Sequence, residues 1–384
     1  MHSGTANLPL HGGHAPRWLF ERMVTISAEI ASWIVVEQGT AELFRRLSDP
    51  VWFQAFGAVM GMDWHSSGVT TTVCGALKQG IAGRSRELGL VVAGGKGRTS
   101  RQTPTELTAA GAWLGLDPAP YVQASRMAAK VDNNALQDGY QIYHHVFLLD
   151  KDGHWAVVQQ GMNEANSYAR RYHWLSDDVH SFVSDPHAAI ASQATGDVWN
   201  LVASESARAR DVTAALAREQ PEKVVAEVAR VRELTLPAHH DVQVADVDPR
   251  RLHRILLKTY ERQPEDFATL LEMPGVGART LRALSLVGEL VYGAPVSIKD
   301  PARFSFAHGG KDGHPFPVPL RVYDRTISVL KQAVAQARLG RDEKLQAIRR
   351  LDEQARRLEG AASGPALDAL VEEERDRSHE YGGR

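Results

Sequence analysis

Apolar residues recur at three- and four-residue intervals from Pro16 onward: Leu19, Met23, Ile26, Ile30 and Trp33 share one helical face, and Gly39 ends the run. Two shorter amphipathic segments follow. The second is led by Asp49-Pro50, a capping residue followed by a first-turn proline. A polar loop, Gly61 to Gly68, opens onto a threonine-rich helix from Thr70 to Gln79. The apolar run Leu88 to Ala93 predicts a buried strand, and helices are expected over 104–114 and 118–131, the first opened by Thr103-Pro104. Next come two stretches rich in aromatic and β-branched residues, Tyr140 to Leu149 and His154 to Gly161. The turn Asp150 to Gly153 between them predicts a β-hairpin. Ala169 to Trp174 reads as a polar run, with a loop at Asp185-Pro186-His187 beyond it.

From about 195 the pattern turns helical. Helices are expected over 197–218 and 221–233, then one capped by Asp248-Pro249 with Leu252, Ile255, Leu256 and Tyr260 on one face. Pro264-Glu265-Asp266 opens a short helix that runs into Pro274-Gly275-Val276-Gly277. The next helix carries Leu281, Leu284, Val287 and Val291, and later ones carry Tyr323 to Val334 and Leu345 to Leu358. The expected class is α+β. A mixed α/β domain over 1–190 precedes an all-helical helix-hairpin-helix domain over 191–340, with a C-terminal helix and charged tail over 341–384. Trp18, Trp52, Trp113 and Trp199 read as core.

Composition changes this picture little. The 384 residues are 43% hydrophobic and 23% charged, ordinary for a globular chain. A net charge of −2 means that any nucleic-acid contact must come from local patches and backbone dipoles, not from the field of the whole molecule. The single cysteine, Cys74, excludes an internal disulfide and reads as a small buried residue. No apolar run approaches the roughly 20 residues of a membrane span, and the N-terminus shows no secretion pattern. The expected location is the cytoplasm, in association with the nucleoid.

The hairpin carries the clearest chemistry. Gly275 and Gly277 permit positive φ and a close backbone approach, and the helix that follows points free N–H groups at whatever sits there. Gly275, Val276, Gly277, Arg279 and Thr280 therefore form a candidate phosphate grip, resembling the helix-hairpin-helix element of DNA-repair proteins. A plain helical pair with a glycine cap fits the same residues. Gly95, Lys96, Arg98 and Arg101 lie in a glycine-rich loop after the first strand, and could cradle phosphate or simply be solvated. The spacing is not that of a Walker loop.

Asp300, one helix beyond the hairpin, resembles the carboxylate of helix-hairpin-helix base-excision glycosylases. The spacing is longer here, however, and Arg279 stands near where lyase-type members carry lysine. An Asp before Pro301 is also a helix cap. In the N-terminal half, Asp63, His65, Asp132, Asp138 and His144 combine carboxylates with imidazoles, as a divalent-metal phosphodiesterase requires. Of these, Asp63, His65, Asp138 and His144 are the candidate ligands for Mg²⁺ or Mn²⁺. None has the spacing of a zinc cluster, and each alone also fits a loop cap or a satisfied strand histidine. Lys130 and Gln160 are placed nearby in sequence for phosphate or water roles.

Several stretches together resemble the widespread prokaryotic family known as domain of unknown function seven hundred and sixty-three. They are Leu8 to Gly13 with Pro16 to Met23, Asp63 to Gly68, Gly94 to Gly97 with Thr99 to Arg101, Asp138 to His145, Val157 to Asn163, Ala169 to Trp174 and Asp300 to Gly310. The resemblance implies no chemistry, so the function expected here comes from the residues. That expectation is a DNA-binding protein of repair or processing, most naturally a metal-assisted nuclease. The alternatives are a glycosylase using Asp300 and a non-enzymatic DNA-binding protein. RNA is not excluded as the partner, no membrane is expected, and the oligomeric state is open.

Overall fold

A computed structural model describes residues 17–62, 68–164, 168–192, 195–232, 248–305 and 320–361. The chain forms two compact units. One holds the residues up to Leu88 together with those from Arg303 onward, and the other runs from Gly89 to Ala302.

The first unit begins with α1 (Arg17–Gln38), α2 (Thr40–Leu47), α3 (Pro50–Met60), α4 (Val69–Ala82) and the single turn α5 (Ser85–Leu88). Asp49 caps α3 as its spacing predicts, accepting from the N–H groups of Val51 and Trp52. α3 is buried all round, and Trp52 stacks on Phe56 with centroids 4.9 Å apart. α1 and α4 touch at Gly80, where a Cβ would come within 2.6 Å of the Val24 carbonyl oxygen. Trp18 departs from expectation. It lies in the first turn of α1, 56% exposed, with the Arg22 guanidinium over its ring.

The second unit is built on an antiparallel sheet. Its elements in order are β1 (Leu90–Lys96), α6 (Thr103–Leu114), α7 (Ala119–Lys130), β2 (Leu136–Gln137), β3 (Gln141–Asp150), β4 (Trp155–Asn163), β5 (Tyr168–Leu175), β6 (Ala189–Ser192) and β7 (Trp199–Asn200). Then come α8 (Ala207–Ala217), α9 (Pro221–Arg232), α10 (Pro249–Arg262), α11 (Phe267–Glu272) and α12 (Ala278–Tyr292). The strands lie side by side as β1, β3, β4, β5, β6, and β2 pairs with β7. The expected polar run 169–174 is strand β5, with both of its arginines buried. The helix expected from 197 begins only at Ala207, because Trp199–Asn200 pairs with Leu136–Gln137.

α13 (Leu320–Gln336) and α14 (Arg341–Ala361) complete the first unit, packing on α1 and α3. The units therefore divide elsewhere than at 190 and 340. A single core explains this: Phe147, Tyr172 and Trp174 of the sheet share it with Leu252, Leu270, Leu281 and Leu284 of the hairpin helices. The segment over 341–361 is likewise a packed helix of the first unit, not a separate element. No helix among the described residues is long and apolar enough to cross a membrane.

Candidate functional site

Past Lys130 the chain does not leave α7 at once but adds a wider π-helical turn, Val131–Ala135. Three consecutive polar side chains leave this turn in different directions. Asp132 is fully buried and takes three donors: Trp174 Nε1 at 3.0 Å, Gln159 Nε2 at 2.5 Å and His187 Nε2 at 2.5 Å. Because Gln159 gives its amide N–H to Asp132, its Oε1 faces His145 Nδ1, 2.8 Å away. The His145 proton therefore sits on Nδ1, and Nε2 accepts from the Ser125 hydroxyl at 2.8 Å. Every donor in the chain Ser125–His145–Gln159–Asp132 points the same way, toward the carboxylate. Burial lowers the His145 pKa, which keeps this neutral form in place.

A second buried network holds the other acids. Arg170 on β5 donates to Asp138 Oδ2 at 2.9 Å and to Asp300 Oδ2 at 2.6 Å. Asp138 also takes the Tyr172 hydroxyl at 2.7 Å and the Tyr140 N–H at 3.1 Å. Burial pushes the Asp138 carboxyl up to about 6 against the pull of Arg170 and these hydrogen bonds. Burial alone would lower Arg170, but the charges of Asp138 and Asp300 outweigh it and hold its pKa above the ordinary value. At neutral pH the ion pair stands. Asp300 accepts besides from the N–H groups of Gly196 and Ala302, and residues 301–305 directly after it form no helix. The helix-cap reading of Asp300 is thereby replaced by a buried tie between β5 and the segment after α12.

His144 is the opposite case. It is 1% exposed, and among the described residues neither ring nitrogen has a hydrogen-bond partner. Burial, with lesser contributions from His145 and Lys96, takes its pKa down to about 3. Beside it the glycine loop leaves β1. Lys96, Arg98 and Arg101 are exposed, and the Gly94 N–H is taken by Glu106 Oε2 at 2.8 Å. That N–H is therefore no phosphate donor.

The stretch 267–292 forms two helices joined by an exposed tip at Pro274 and Gly275, where Gly275 has φ 93°. Asp266 caps the first helix by accepting from the Thr269 N–H. The hairpin is gripped from behind by α7 and the π-turn. Lys130 Nζ donates to the carbonyls of Leu271 and Met273 at 2.5 and 3.0 Å, where the end of α11 favours a cation. Asn134 Oδ1 accepts from the Ala278 N–H at 3.2 Å, so one of the donors expected to point outward is already capped. Val276 and Thr280 are buried, while Arg279 is exposed.

A family model described as "Protein of unknown function (DUF763)" matches residues 4–318. The chain belongs to this family. No curated protein matches it, and no solved structure does.

The expected site residues are thus dispersed. Asp63 and His65 lie outside the described residues. Asp138 and Asp300 meet on Arg170, Asp132 and His144 lie in other environments, and no group of three or more His, Cys, Asp or Glu among the described residues is placed to hold a metal. The acids expected to bind Mg²⁺ or Mn²⁺ or to act on substrate, Asp132, Asp138 and Asp300, spend their oxygens on internal donors. Lys130 serves carbonyls rather than phosphate, and the Gln160 amide goes to the Tyr143 hydroxyl. Ser125, Gln159, Arg170, Trp174 and Asn134 were invisible as partners. The one available signal was the density of polar residues with buried-strand neighbours in 141–145, 157–163 and 169–174.

Proposed function

We propose that the chain binds nucleic acid through its phosphate backbone, using the 273–277 hairpin together with α10. The observation that carries this reading is the adjacency of the exposed hairpin tip and a basic helical face. A Cβ on Gly275 would stand 3.9 Å from Ile255 of α10. Arg251, Lys258 and Arg262 lie four residues before, three after and seven after Ile255, on the same helical face. All three are exposed, and among the described residues none pairs with a carboxylate. In a chain of net charge −2 this is a local cationic patch next to a tight backbone turn. The N–H groups of Gly275 and Gly277 carry no partner among the described residues, and Lys130 and Asn134 hold the turn rigid for its task.

The contacts are of a kind that neutralises phosphates and reads no base edges, so the reading is of sequence-independent binding. Among the described residues neither the nuclease nor the glycosylase reading gains a residue from the geometry, and the proposal includes no catalytic step. Fluorescence anisotropy with labelled duplex DNA, single-stranded DNA and RNA tests it. Binding should weaken steeply with salt, and Lys258→Glu with Arg251→Glu should cut affinity at least about tenfold and flatten the salt slope by roughly 1 to 2. Affinity and slope equal to wild type in that double variant would reject the reading.

A further inference from the structure

We propose that His144 and Lys96 form a binding site for a phosphoryl group carried beside a hydroxyl, as in a sugar phosphate. The two residues are direct cross-strand partners, Lys96 on β1 and His144 on β3, so they share one face of the sheet. The register of β3 on β4 slips between Ile142 and His144, which makes Tyr143 an extra residue in the strand. Such bulges re-aim the neighbouring side chains. Here the Tyr143 ring lies under the Lys96 ammonium, 5.9 Å from its centroid, and its hydroxyl is held by Gln160. The bulge thus anchors Tyr143 and leaves His144 beside a lysine.

Buried polar groups in folded chains almost always have partners, and one with none calls for a ligand or a bound water. His144 has two nitrogens in this condition at 1% exposure. It therefore stands apart from His145 next to it, whose nitrogens are both used. Lys96 is exposed, no carboxylate among the described residues pairs with it, and its own strand leads into Arg98 and Arg101, both exposed. The pair sets an exposed cation beside a buried neutral imidazole. A neutral imidazole offers one N–H and one lone pair, diverging from each other. A phosphoryl oxygen accepts the first while Lys96 supplies charge, and a neighbouring hydroxyl donates to the second. A bare carboxylate or an apolar ligand would leave one nitrogen unsatisfied.

This site is distinct from the hairpin. Lys130 and Asn134, which hold the hairpin, belong to the helical layer that His145 faces through Ser125. By strand alternation His144 looks to the opposite face.

The test is thermal unfolding of the full chain, without nucleic acid, titrated with inorganic phosphate and in parallel with adenosine 5′-monophosphate. Both should raise the midpoint by about 2–4 °C near saturation. A lower working concentration for the nucleotide would assign the sugar hydroxyl to His144, and equal concentrations would assign free phosphate; either supports the site. Lys96→Ala and His144→Phe should each weaken the response at least about tenfold. Lys96 is exposed, so its variant remains informative if His144→Phe fails to fold. No shift with either ligand, or a shift of the same size and midpoint in Lys96→Ala, overturns the proposal. Phosphate held at the hairpin instead would leave the response unchanged in Lys96→Ala, so the test separates this site from the proposed nucleic-acid grip.

Discussion

His144 and His145 are adjacent in sequence, both buried, and opposite in their bonding. His145 closes a chain from Ser125 to Asp132 in which each polar atom faces a matching one. His144 faces none. Burial lowers both pKa values, so burial does not tell them apart; the partners do. A satisfied buried network specifies a packing arrangement, and an unsatisfied buried group marks a place where the packing is incomplete without something else. This difference separates the structural half of the polar core from the half with a binding role to assign.

The comparison can be broken most severely at its satisfied end. Asp132→Ala should leave Trp174, Gln159 and His187 donating to nothing, at a cost of about 3–5 kcal/mol in urea unfolding. His145→Phe should cost about 2–3 kcal/mol, since the Ser125 hydroxyl and the Gln159 carbonyl lose their partner in the interior. Acid should act through the unsatisfied histidine. The folded value of His144 is about 3, below the ordinary 6.5, so the unfolded chain takes up that proton first. Its contribution is whole above pH 6.5 and is lost as pH falls toward 3, by about 2 kcal/mol at pH 5. His145 adds a loss of the same sign. Asp138, raised to about 6, works with the opposite sign over the same range, so the test is the difference between variants: between pH 7 and 5 His144→Phe should lose about 2 kcal/mol less than the wild type. Asn134→Ala removes one helix cap and should cost about 1 kcal/mol. Smallest of all, His144→Phe at pH 7 should change stability by less than about 1 kcal/mol, or raise it, because an aromatic ring replaces an unpaired polar one. A loss there as large as that in His145→Phe would erase the distinction.

Local signals carried most of the fold. Asp49-Pro50 and Asp248-Pro249 announce helices that are present, and the alternation around Asp150 to Gly153 announces the β3–β4 hairpin. β5 was lost because Arg170, Arg171 and His173 look like solvent-facing residues, whereas all three are buried, Arg170 against acids of distant segments and Arg171 against His173 two residues on. The same reason hid the site. Asp300 meets Arg170 across 130 positions, and Asn134 meets Ala278 across 144, separations at which no spacing rule operates. The hairpin was legible because its chemistry is local: two glycines, a proline and the start of a helix. That it is backed by Lys130 was not, since a lysine at a helix end reads equally well as a solvated one.

The π-turn after α7 puts three neighbouring residues to three uses. Asp132 anchors the core, Asn133 accepts from the Ile142 N–H, and Asn134 caps α12. The extra residue in this one turn is what lets adjacent side chains diverge enough to do this. The chain length here is consequently a specification in itself. Removing a single residue would return the turn to ordinary α pitch, swing each later side chain by about 100° around the axis, and unhook sheet and hairpin together. A residue could be exchanged at these positions more safely than one could be gained or lost.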